Sequence, residues 1–158
     1  MFLRLRRSTP IADTAVGAVA VVSGVVEAEA ELLLPETRVP CVYYEAVYEA
    51  YRSGARGRGR HLWLPDYFSR KCAGLLVRDD SGLIRIAVDV APLVLQGAHR
   101  HSERLGRNGR RRVIARFVRA GDRVKVRGMV SPPPPGAPTD ERSLTASPGG
   151  RIEILVLR

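Results

Sequence analysis

The chain is patterned as a series of strands. Its clearest alternation runs over residues 39–49, where Cys41, Tyr43, Glu45, Val47 and Glu49 fall on one side of an extended backbone and Val42, Tyr44, Ala46 and Tyr48 on the other. That segment reads as the central strand of a β-barrel, buried on both sides at its start and emerging into solvent near Glu49. Residues 16–29, rich in β-branched valine, read as a long strand with a glycine in its middle, the mark of a bend by which one strand serves two sides of a small barrel. Residues 73–78 and 83–88 flank Asp79-Asp80-Ser81-Gly82 and predict a hairpin in which Asp79 starts the turn and Gly82 takes a positive φ. Residues 113–118 and 123–130 predict two more strands, the second with a basic outer face, and residues 151–157 return as the closing strand.

Between these strands lie segments that lack the pattern. Residues 2–7 alternate apolar and basic side chains and predict a frayed terminus ahead of a short edge strand or an arm lying on an acidic or lipid surface. Residues 51–60 are rich in Gly and Arg and predict a hairpin loop, after which the lone Trp63 reads as an anchor of the core. Residues 96–112 are polar, glycine-interrupted and basic and predict a loop. Residues 131–150 open with four prolines and predict an exposed excursion outside any sheet. The expectation is an all-β fold: one OB-like, partly closed antiparallel barrel with long basic and Pro-rich loops. It divides into an N-terminal arm (1–14), a barrel domain (15–130), a Pro-rich loop (131–150) and a closing strand of the same domain (151–158).

Composition adds charge to this picture. The chain has 158 residues, 45% of them apolar, and a net charge of +10. It is long enough to bury a core without metal or disulfides. The charge invites a polyanion, yet 24 of the 26 basic residues are Arg, a bias that GC-rich coding also produces. If a polyanion binds, the basic loops supply Arg52, Arg56, Arg58, Arg60, Arg100, Arg110, Arg111 and Arg112, and Tyr43, Tyr48 or Trp63 could stack on single-stranded nucleic acid. Cys41 and Cys72 have no C-x-x-C spacing and read as buried, reduced thiols. The apolar stretch from Ala15 is interrupted and β-branched, unlike a leader peptide, and no run reaches the ~20 residues of a membrane-spanning helix.

Catalytic chemistry has little to stand on. Asp79 and Asp80 are explained by the turn, and His99 with His101 lacks a further ligand for a metal. No catalytic residue, metal site or cofactor is expected, and a hydrolase built on His99, His101 and Asp79 ranks last.

Four motifs then fall into a familiar order: residues 15–26, Pro40-Cys41-Val42-Tyr43-Tyr44-Glu45, Leu76 through Asp80-Ser81-Gly82, and Ala120-Gly121-Asp122-Arg123-Val124. This order resembles the GIDE domain, also called BAM for "beside a membrane", found in a mitochondrial RING-type ubiquitin ligase and in prokaryotic relatives. The resemblance spans residues 15–130 and makes Cys41, Tyr43, Tyr44, Asp80, Gly82, Gly121 and Asp122 its structural motif. It implies an OB-like interaction or adaptor module in a bacterial protein assembly or near a membrane. A protein partner is expected, with an anionic lipid or nucleic-acid surface as the alternative, in the cytoplasm or peripheral at the inner membrane. The paired Cys/His pattern of a RING is absent, so ligase activity is not implied.

Overall fold

The computed structural model describes residues 2–52, 62–88, 91–133, 135–136 and 141–158. In chain order it begins with a short helix α1 (Phe2–Leu5), a 3-10 turn (Ile11–Asp13), β1 (Val19–Ala28), β2 (Leu32–Leu33), β3 (Pro40–Cys41), β4 (Tyr43–Arg52) and β5 (Leu62–Cys72). There follow β6 (Leu75–Asp79), β7 (Gly82–Ile86), β8 (Leu93–Gln96), β9 (His99–Leu105), β10 (Arg111–Val118), β11 (Arg123–Ser131), β12 (Ser143–Thr145) and β13 (Ile152–Leu157). No helix among the described residues is long and apolar enough to cross a membrane.

Five strands close into a ring in the order β1-β6-β7-β12-β11, with β11 returning to β1. Only the β7–β12 pair of this ring is parallel, which makes it an OB-like mixed barrel. The bend expected in the first long strand is present. β1 pairs with β11 from Val19 to Val25 and with β6 from Val25 to Ala28. Gly24 sits at the changeover, where an added Cβ would lie 2.2 Å from the Arg78 carbonyl oxygen, so any larger residue collides with β6. β11 also changes partner, from β13 over Arg123–Arg127 to β12 over Met129–Ser131. Valines 22, 26, 124, 126 and 130 fill the barrel with Leu75, Ile84, Leu144, Ile152 and Ile154. Each such side chain contributes roughly 1.5–3 kcal/mol by leaving water.

A second sheet, β5-β4-β10-β9, sits on this barrel. Its strands come from two insertions, one between β1 and β6 and the other between β7 and β11. A smaller core of Leu34, Cys41, Tyr44, Ala46, Val113, Ala115 and Phe117 covers one of its faces.

Several sequence expectations are corrected by this arrangement. Residues 39–49 are not one barrel strand. They split at Val42 into β3 and β4, and β4 belongs to the second sheet, with only Val42 and Tyr43 reaching the barrel core. Residues 96–112 are not all loop, because β9 forms the edge of the second sheet with exposed polar side chains. Its pairing rests on backbone bonds to β10 that leave no apolar pattern. The Pro-rich segment contains β12, whose Leu144 is fully buried, and three residues are too few to show alternation. Residues 151–157 lie outside the closed ring as β13, which pairs with β11 and, in parallel, with β8. The N-terminal alternation forms α1, held by Lys125 Nζ donating to the carbonyls of Arg4 and Arg6 at 3.1 and 2.8 Å. Gly82 does not have a positive φ. The Asp79 carboxylate instead fixes that turn by accepting from the backbone N–H of Ser81 and Gly82 at 2.8 and 2.9 Å.

Candidate functional site

Barrels of this type commonly bind ligands on the outer face of the second and third strands, here β6 and β7. On that face Arg78 Nε donates to Glu27 at 2.5 Å, and Arg85 holds both Glu29 and Glu141. The Arg85 guanidinium keeps the Glu29 carboxyl below its usual range. The face is thus internally neutralised. It also lacks rings, since apart from Phe2 every aromatic residue of the chain lies on β4, β5 or β10. The rings lie on the inserted sheet instead.

Strand register sets two different faces on that sheet. Across one, Arg100, Arg116, Glu45 and Arg70 form a row. Glu45 accepts from Arg116 at 2.6 Å and from the Tyr43 hydroxyl at 2.9 Å, while Arg70 donates to the Val88 carbonyl. Burial, reinforced by the Glu45 charge, pushes the Tyr43 phenol far up. On the same face Arg112 Nε donates to Glu49 at 2.5 Å and its guanidinium lies 4.3 Å from the Trp63 ring centroid. Arg104 approaches the same ring at 5.9 Å and Tyr51 at 5.2 Å. Trp63 is half-buried and belongs to neither core, which corrects its reading as a core anchor.

The opposite face carries Leu62, Leu64 and Tyr67 of β5, opposite Arg52, Ala50 and Tyr48 of β4. These three are 54%, 45% and 61% exposed. β5 is an edge strand of 11 residues, and only Pro65, at the register shift between Tyr48 and Glu49, interrupts its donors.

Among the described residues, the sequence-predicted basic side chains do not all share one face. Arg111 and Arg112 point to opposite faces, Arg111 to Asp66 at 3.2 Å and Arg112 to Glu49. Arg52, Arg100 and Arg110 are exposed. Arg56, Arg58 and Arg60 lie outside the described residues. The motif residues are spread over both cores and two turns. Cys41 is buried, and Tyr43 and Tyr44 enter separate cores. Asp80 is exposed in the β6–β7 turn and Gly82 begins β7. Gly121, at φ +89°, donates to the Val26 carbonyl, and Asp122 accepts from the Arg119 N–H.

The acid–base candidates are dispersed. His99 Nε2 lies 2.9 Å from Asp122, His101 faces Glu103 at 3.3 Å, and Asp79 serves Ile11, Ser81 and Gly82. Among the described residues no group of three or more His, Cys, Asp or Glu is placed to hold a metal. Sequence reasoning missed the exposed β5 edge, whose mixed polarity hides it. Comparison with protein-family models, curated proteins and solved structures gives no match to this chain.

Proposed function

We propose that this chain is a non-catalytic, OB-like binding module that engages a protein partner along β5. The observation that carries this reading is a long edge strand with Leu62, Leu64 and Tyr67 exposed on one face. Proteins ordinarily shorten, charge or cover such an edge, because its free backbone groups template further pairing. Strand addition by an extended segment satisfies those groups and buries the apolar stripe together. Arg52 and Lys71, exposed at the two ends of the β4–β5 pair, favour acidic flanks on that segment. The resemblance to GIDE/BAM domains supports the same adaptor reading, and with the basic charge it supports a cytoplasmic setting at the inner membrane surface.

The test is selection of peptides from a random display library on the purified chain, followed by hydrogen exchange of the complex. Acidic–apolar peptides that slow exchange along β5 and lose about tenfold in affinity on Tyr67→Lys, the effect of one interface anchor, support the proposal. Peptides that protect other strands, or a β5-dependent dimer of the chain alone, overturn it.

A second reading, single-stranded nucleic-acid binding, is favoured by the concentration of Trp63, Tyr51, Arg104 and Arg112 on one face of the inserted sheet. Quenching of the Trp63 fluorescence by a single-stranded oligonucleotide that persists at high salt would support it over the protein partner.

A further inference from the structure

A separate cleft of about 640 Å³ opens where α1, β8, β9, β10 and the end of β13 meet, within the size range of small-ligand pockets. Its floor is apolar, with Leu95, Ala98 and Val156 all buried. Its lining includes Arg4, Arg100, Arg116 and Arg158 and no Asp or Glu. Other clefts include Glu31, Asp79 with Asp80, or Glu141 in their lining. Two of the four arginines are tethered by the fold: Arg116 donates to the Leu95 carbonyl at 3.1 Å and to Glu45, and Arg158 donates to the Ala98 carbonyl at 3.3 Å. Glu45 therefore offsets one charge, and the lining holds no Asp or Glu to offset the side chains of the other three arginines.

We propose that this cleft is a binding site for an amphiphilic anion, a phosphate or carboxylate head on a non-aromatic apolar body. Planar guanidinium forks fit the oxygens of such a head in pairs. Bringing cations together is unfavourable until an anion joins them. The apolar floor takes the body, and the absence of any aromatic ring from the lining gives a nucleobase nothing to stack on. The head belongs either to a free amphiphile or to a membrane lipid, and both present the same chemistry.

Calorimetric titration of the full chain with dodecyl phosphate, below its micelle concentration, tests the site, with inorganic phosphate as comparator. Flotation with phosphatidic acid vesicles, against neutral phosphatidylcholine vesicles, tests the lipid source. The variant Arg4→Ser/Arg100→Ser removes two cleft cations, and Arg107→Ser/Arg110→Ser removes the same charge elsewhere. The expected result is one saturable site, for dodecyl phosphate or for phosphatidic acid vesicles alone, that weakens about tenfold in the cleft variant and stays within about twofold in the other. Equal weakening in both variants, or binding of neither probe, overturns the proposal. If the cleft double variant fails to fold, Arg158→Ser carries the same comparison.

Discussion

Tyr43 and Tyr44 are neighbours in the chain yet fill different cores, Tyr43 the barrel and Tyr44 the cluster beneath the inserted sheet, at 0% and 4% exposure. Alternation along β4 makes this division, and it joins the two sheets through one peptide unit. Truncating either ring to alanine is expected to cost about 3–5 kcal/mol. The distribution of damage should differ. Tyr44→Ala is expected to speed amide exchange in β9 and β10 while β1 and β11 stay protected, whereas Tyr43→Ala speeds exchange in both sheets.

Gly24 and Gly121 predict opposite reasons for intolerance of a side chain. At Gly24 an added Cβ meets the Arg78 carbonyl at 2.2 Å, so Gly24→Ala must part β1 from β6. At Gly121 nothing lies within 4 Å, and only the φ of +89° resists substitution. Urea melts should show a loss of about 1–3 kcal/mol for Gly121→Ala from backbone strain alone. Gly24→Ala should exceed it, and the order reversed would show that β6 yields.

Leu144 is the one residue of β12 that is fully buried, and β12 joins β7 to β11. Leu144→Ala is expected to destabilise by about 2–5 kcal/mol in a denaturant melt. A change below 1 kcal/mol, roughly the scale of an exposed site, would mean that residues 131–150 behave as a dispensable excursion.

Asp79 predicts an acid sensitivity. Burial acts to raise its pKa, but hydrogen bonds from the Ser81 hydroxyl and the N–H groups of Ile11, Ser81 and Gly82 outweigh it and hold the carboxyl below its ordinary value of 3.8. A depressed folded-state pKa stabilises fully above the unfolded value and is lost as pH falls through the folded one. Asp79→Asn should therefore be less stable than the parent at about pH 6, and the difference should shrink by about pH 2.5.

The two thiols should react at different rates. Cys41 is 3% exposed, and burial pushes its pKa up to about 11, whereas Cys72 is half-buried at the end of β5. A thiol reagent at neutral pH is expected to label Cys72 first, with Cys41 following only in denaturant.

The parts of this fold legible in the sequence are those whose burial is one-sided and long. β1, β6, β7 and β11 alternate over enough residues for the valines and leucines to mark them, and Gly24 marks the bend. β9 was illegible because an edge strand can keep polar side chains on both faces while its backbone pairs. β12 was illegible because one leucine makes no period. The basic residues read as two loops along the chain, yet Arg111 and Arg112 diverge across a strand. Arg4, Arg100, Arg116 and Arg158 gather in one cleft from positions that no local pattern connects. Pairing across a sheet, not spacing along the chain, decides which charges meet.

The pairing of β1 with β11 also governs when the barrel can exist. The Ser23 hydroxyl donates to the carbonyl of Val124, 101 residues later, and the backbone ladder around it pairs residues 98 to 110 positions apart. On a ribosome making this chain, β1 stays without β11 until residues 29–122 between them have been synthesised. The β4–β5 pair, joined by a short connection, needs no such wait. High-contact-order closure of this kind is slow. The inserted sheet therefore has its first hairpin available before the barrel that will carry it, and valine-rich β1 is exposed to wrong partners while it waits for β11.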